Sequence, residues 1–285
     1  IIRPISDLHL EFSALNSPET EADITLLAGD IFTKEKQLPP DLRDFFKSEI
    51  VIGIAGNHEF YGKKIDTFLP ELYNIYDRHH GIFLENDYIT IDNDLSYSIN
   101  GTEQNGFRII GSTLWTDFKL FAGDNIPLLK LQASKIVGNS IYDKGMNDFR
   151  LIREASRNYR RFRPIRASML HSKSKEFIEK TLNMDFDGIK YVMTHHAPSA
   201  LVLPDDKKED VFSIAYASNM DDFIKEMKPD FWQFGHIHHP KNITIENTKI
   251  FSNPRGYVGK ESYLNFDINK RIDIDIPLLS NNIRH

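Results

Sequence analysis

The 285-residue chain contains no cysteine. That excludes disulfides and thiolate metal ligands, leaves any metal chemistry to aspartate, asparagine and histidine, and suits a reducing, cytoplasmic setting. Long apolar runs are missing as well. The longest are strand-sized, and Ile1-Ile2-Arg3-Pro4-Ile5 leads straight into a polar motif, so neither a membrane span nor a signal peptide is expected. Positive charge is not in excess: 35 Lys and Arg stand against 41 Asp and Glu, a formal net charge of -6, which removes any global attraction to nucleic acid. There is no internal repeat, low-complexity tract or linker, because the 15 Gly and 13 Pro are scattered between elements. With 40% hydrophobic residues, one large domain over residues 1–285 is expected.

What the chain does have is a set of short apolar runs that end in ligand-type side chains. Val51 to Ala55 halts at Gly56 and presents Asn57, His58 and Glu59. Ile1 to Ser6 runs into Asp7-Leu8-His9, Ile24 to Ala28 into Gly29-Asp30, Tyr191 to Thr194 into His195-His196, and Phe231 to Phe234 into Gly235-His236-Ile237-His238-His239. Apolar runs of four to eight residues bounded by Gly or Asn read as buried strands, and open α/β sheets bind ligands beyond the carboxyl ends of such strands. A single Asp or His after a strand is more often a turn former or a hydrogen-bonded structural residue. Five together supply carboxylate, amide and imidazole donors, a set suited to divalent transition metals.

Between these runs the pattern changes. Ile65 to His80 has helical spacing, and residues 82 to 111 read as a meander of four strands. The stretch from Leu128 to Asn183 turns helical. Within it, Arg150 to Arg163 reads as a helix with Arg150, Arg153, Arg157, Arg160 and Arg161 on one face and Leu151, Ile152, Ala155, Tyr159 and Phe162 on the other. That face is either solvated surface or a rim for an anionic substrate, with Arg153 and Arg157 as the candidate contacts. Arg255, in the loop Asn253-Pro254-Arg255-Gly256-Tyr257, is a further candidate. Trp115 is expected to pack rather than to stack on substrate, and the runs Tyr263 to Phe266 and Ile272 to Ile276 read as β-like.

Taken in order, Asp7-x-His9, Gly29-Asp30, Gly56-Asn57-His58-Glu59, His195 and Gly235-His236-x-His238 resemble the motif series of the calcineurin-like metallophosphoesterase superfamily. The resemblance spans residues 7 to 238. It implies an α/β (α+β) sandwich of two mixed β-sheets flanked by helices, here with a helical insertion around 128–183. It also implies two divalent metal ions, manganese first, with iron, zinc, nickel or cobalt open. By that pattern Asp7, His9, Asp30 and His238 hold one metal, Asp30, Asn57, His195 and His236 the other, and Asp30 bridges. A hydroxide activated by the metals would attack the phosphorus of a phosphomonoester or phosphodiester. The resemblance also implies that His58 is the catalytic histidine, stabilising charge or protonating the leaving oxygen. Two doubled positions depart from the plain pattern: His196 competes with His195, and His239 has no assigned role. The partner expected is a small-molecule phosphate ester, with no nucleic acid or membrane. A non-catalytic scaffold of the same fold and a protein phosphatase are the alternatives.

Overall fold

A computed structural model describes residues 1–121, 123–138, 145–155, 159–261 and 265–274. The first part of the chain alternates strand and helix: β1 (Ile2–Ile5), β2 (Ala22–Ala28), α1 (Leu42–Phe46), β3 (Ser48–Ile54), α2 (Ile65–Arg78) and β4 (Ile82–Phe83). Next come β5 (Asp87–Ile91), β6 (Tyr97–Ile99) and β7 (Asn105–Ser112), then α3 (Ile126–Val137), α4 (Asp148–Leu151), β8 (Arg153–Glu154), β9 (Arg160–Arg161) and α5 (Pro164–Leu182). The last part holds β10 (Asp187–Thr194), α6 (Asp221–Met227), β11 (Phe231–Gln233), β12 (Asn242–Ile245) and β13 (Thr248–Phe251).

The strands form two main sheets. β1-β2-β3-β4 is parallel throughout, whereas the seven-stranded sheet β12-β13-β11-β10-β7-β5-β6 is mixed, with β5, β6 and β12 antiparallel to their neighbours. The two-sheet arrangement flanked by helices is the one expected, with an antiparallel bridge from Ile2 to Ile272 at the edge of the smaller sheet. Alternation along the strands decides the layers, because successive side chains point to opposite faces. Ile24, Leu26 and Ala28 of β2 and Ile50, Ile52 and Ile54 of β3 meet Phe107, Ile109, Tyr191 and Met193 of the other sheet in a shared core. Leu27 and Val51 face the other way, onto Phe46, Leu72, Ile75 and Tyr76 of α1 and α2. On the far side Ile110, Val192 and Trp232 pack against Ile178, Leu182, Phe223 and Ile224 of α5 and α6. The order is helix, sheet, sheet, helix, and parallel strands of both sheets end on the same edge.

Three expectations need correction. Residues 82–111 are not one meander: β4 joins the parallel sheet beside β3, and β5 sits between β7 and β6. The helix over Arg150–Arg163 is absent, since α4 stops at Leu151 and β8 pairs antiparallel with β9. Burial decides this. Ile152 accepts a backbone hydrogen bond from Phe162, and Phe149 and Phe162 stack at 5.9 Å beneath Trp115, which a continuous helix could not arrange. The basic face disperses with it, and Arg157 lies outside the described residues. Near the end, Ile272 makes only an isolated bridge with Ile2, while Tyr263, Leu264 and residues from 275 onward lie outside the described residues.

Candidate metal centre

The turns after the parallel strands are tight enough to force unusual backbone. Asp7, His9, Asp30, His236 and His238 all adopt positive φ, from 46° to 70°, a conformation that L-residues visit rarely and that concentrates at functional sites. Two glycines permit the convergence. Gly29 has φ 81°, and a Cβ there would lie 2.6 Å from His195 Nδ1; a Cβ on Gly56 would lie 2.1 Å from Asp30 Oδ1. Glu59 staples these turns from below, its buried carboxylate accepting from the backbone N–H groups of Gly56, Asp30, Ile31 and Phe32 at 2.7–3.2 Å.

Donor atoms of Asp7, His9, Asp30 and His238 lie within 4.8 Å of one another, and so do those of Asp30, His195 and His236. The outer ring nitrogens of three of these histidines are already engaged. His9 Nδ1 lies 3.0 Å from Glu11, His238 Nδ1 3.0 Å from Glu261, and His195 Nδ1 2.9 Å from the Ala28 carbonyl. Such partners fix the tautomer and turn Nε2 inward. As a result His9 Nε2 faces His238 Nε2 at 2.9 Å, and His195 Nε2 faces Asn57 Oδ1 at 2.9 Å. Asp7 Oδ2 and His236 Nε2 are buried with no hydrogen-bond partner. Acceptors turned on acceptors, with two orphaned atoms beside them, fit a site built for cations.

Electrostatics point the same way. Burial pushes the Asp30 carboxyl up, but His195 and His58 together hold it well below the usual carboxylate range. Burial likewise opposes charge on His195, and Asp30 reverses this to hold it at about 9; His238, beside Asp7 and Glu261, is held at about 10. His236, buried and next to His196 and His195, is driven well below its ordinary value. Protons thus occupy places that cations would take, so metal uptake should release them.

The structure brings together all seven residues expected to hold metal, with Asn57 turned by its Nδ2, which donates to Asp148 and to the Tyr61 hydroxyl, both at 2.9 Å. It also separates the doubled histidines. His195 faces Asp30 at 3.5 Å, while His196 bonds the Thr113 carbonyl and packs between Trp115 and His236. His58 is buried beside the cluster: Nδ1 lies 2.7 Å from Glu11, Nε2 3.0 Å from the Tyr257 hydroxyl, and its backbone N–H donates to Asp30 at 2.8 Å.

A family model described as calcineurin-like phosphoesterase matches residues 5–240. The chain belongs to that family. No curated protein matches it. Among solved structures it is similar to a phosphopantetheinyl hydrolase from Mycobacterium tuberculosis, with a TM-score of 0.62, 17% identity and coverage of 92% of this chain and 93% of that one. A Staphylococcus aureus protein described as a 5'-nucleotidase, solved with alpha-ketoglutarate, matches at a TM-score of 0.41 and 14% identity, over 88% of this chain and 48% of that one.

In this family member a cleft of about 760 Å³ opens over the centre, lined by Tyr61, Arg150, Lys207, Phe212, Tyr216 and Tyr257 among others. Of the expected substrate contacts, Arg153 is not in that lining and hydrogen-bonds the Arg150 and Ile152 carbonyls. Arg255 is a correction: the residue is only 8% exposed and its guanidinium donates to Leu8 O, Ser13 O, Ser13 Oγ and Ala14 O, so it clamps the loop after β1. The residues that sequence reasoning missed are mostly partners of the expected ones: Glu11, Asp148, Tyr257 and Glu261. Glu11 alone carried a signal, extending Asp7-x-His9 by the same spacing of two. Among the described residues, no helix is long and apolar enough to cross a membrane.

Proposed function

We propose that the chain is a dinuclear-metal-dependent phosphoesterase acting on a small-molecule phosphate ester. The observation that carries this reading is the pair His9 Nε2 and His238 Nε2, 2.9 Å apart with both outer nitrogens committed to carboxylates. Lone pairs so directed repel unless a proton or a cation lies with them. Asp7, His9, Asp30 and His238 would hold one ion and Asp30, Asn57, His195 and His236 the other. An all-nitrogen and oxygen set suits manganese and is compatible with iron, zinc, nickel or cobalt. When bound, such ions supply Lewis-acid neutralisation of the phosphoryl oxygens and a nucleophile at neutral pH.

The chain's own residues then divide the remaining tasks. His58 holds a proton at Nε2 for the leaving oxygen, and its backbone N–H keeps Asp30 oriented. Tyr61, Phe212, Tyr216 and Tyr257 wall a cleft far larger than a phosphate group alone would fill, which supports a substrate with a sizeable leaving group. The test is turnover of a panel of mono- and diesters, nucleotides and phosphopantetheine esters included, by protein stripped with chelator and reloaded with Mn²⁺. Activity should vanish on stripping and return on reloading. Two equivalents of bound metal with no turnover of any ester would sink the proposal.

A further inference from the structure

We infer that Glu11 is a positioning residue whose one carboxylate oxygen orients both His9 and His58, so that holding the metal and protonating the leaving group depend on the same side chain. Glu11 Oε1 lies 3.0 Å from His9 Nδ1 and 2.7 Å from His58 Nδ1, and the two rings meet edge-on with centroids 4.4 Å apart. An ionised carboxylate only accepts, so both imidazoles carry their proton on Nδ1 toward it. The Nε2 atoms then turn to the centre, 3.7 and 3.9 Å from Asp30 Oδ2.

Glu11 is itself held in place. Arg255 grips the carbonyls of Leu8, Ser13 and Ala14 on either side of it, and the Phe12 N–H closes a turn onto His9 O. Two residues after Arg255, Tyr257 brings its hydroxyl 3.0 Å from His58 Nε2. That contact marks where a leaving oxygen can meet the ring. As the P–O bond breaks, the leaving oxygen keeps the bonding pair and takes the Nε2 proton. The Nδ1 proton stays with Glu11, and the ring neither rotates nor changes tautomer.

The kinetic arm of the test rests on the phosphoesterase reading; the spectroscopic arm does not. In metal-free wild-type protein at a pH alkaline enough to leave both rings neutral, imidazole ¹⁵N spectra should show the single proton of His9 and of His58 on Nδ1, and a neutral ring carrying its single proton on Nε2 instead would overturn the inference. Glu11→Ala should lower kcat on an alkyl phosphate by about 10–100-fold and weaken metal binding by about 10-fold. On 4-nitrophenyl phosphate, whose leaving oxygen needs little protonation, kcat should fall much less. Glu11→Gln, whose amide oxygen accepts from both rings, should recover most of the loss. Equal losses on both substrates, or no rescue by Gln, would reduce Glu11 to a structural role. If wild-type protein turns over neither ester, the functional reading fails while the spectra still decide the orientation.

Discussion

At the scale of single residues, position relative to the donor cluster distinguishes the candidate ligands from the proposed acid. Asp30 is shared by the two groups that gather the expected ligands, whereas His58 clusters with His9 and Glu11, its ring 3.9 Å from Asp30 Oδ2 and facing Tyr257. Asp30→Asn should therefore deplete both metals, while His58→Ala should keep the metal content and lower kcat by about 10²–10⁴-fold on unactivated esters, measured by elemental analysis beside kinetics. A different residue governs stability with pH. Burial pushes the Glu85 carboxyl from its ordinary 4.5 up to about 7, against hydrogen bonds from Thr113 that pull it down. The folded chain thus binds that proton more tightly than the unfolded one, so Glu85 contributes stability below about 4.5 that is lost as pH rises through about 7. Urea denaturation of Glu85→Gln should show a shallower decline across that window than wild type. An unchanged slope would mean the carboxyl is already ionised in the fold.

At the scale of elements, the segment between β7 and β10 works as a buttress. Asp148, the first residue of α4, accepts from Asn57 Nδ2 at 2.9 Å and from the Tyr61 hydroxyl at 2.7 Å, so a short helix in the insertion sets the direction of an amide oxygen delivered by β3. Removing that partner in Asp148→Ala should weaken one of two metal-binding steps by about 10–100-fold and leave the other near its wild-type value, read from a calorimetric titration. Loss of both steps would make the contact structural. The same segment shows why the arginine periodicity misled. Spacing by three and four residues is shared by a helix face and by arginines spread over a helical turn and two short paired strands, and burying Phe149, Ile152 and Phe162 decides for the latter.

At the scale of the whole molecule, the candidate ligands come from both sheets: Asp7, His9, Asp30 and Asn57 follow β1, β2 and β3, and His195, His236 and His238 follow β10 and β11. Metal bound there would tie one sheet to the other. A ligand that binds the folded chain and not the unfolded one adds about 2.7 kcal/mol at a hundred times its Kd. Chelation should therefore lower Tm by several degrees for a chain of this size, and Mn²⁺ should restore it in a concentration-dependent way. Identical Tm values with and without metal would argue against ligation across the sheets.

The sequence by itself determined the buried strands and the polar residues that end them, because a strand's apolar run and the side chain that follows it are local properties of the chain. Asp7, His9, Asp30, Asn57, His195, His236 and His238 were named by resemblance to the family's motif series, with His196 left open beside His195. Only the tertiary structure decided which of His195 and His196 turns to the cluster, that Arg255 clamps the Glu11 loop, and that Asp148, Tyr257 and Glu261 are the partners of Asn57, His58 and His238. These are contacts between residues 23 to 247 positions apart, made by the stacking of two sheets. No periodicity in the chain records a contact that only packing creates.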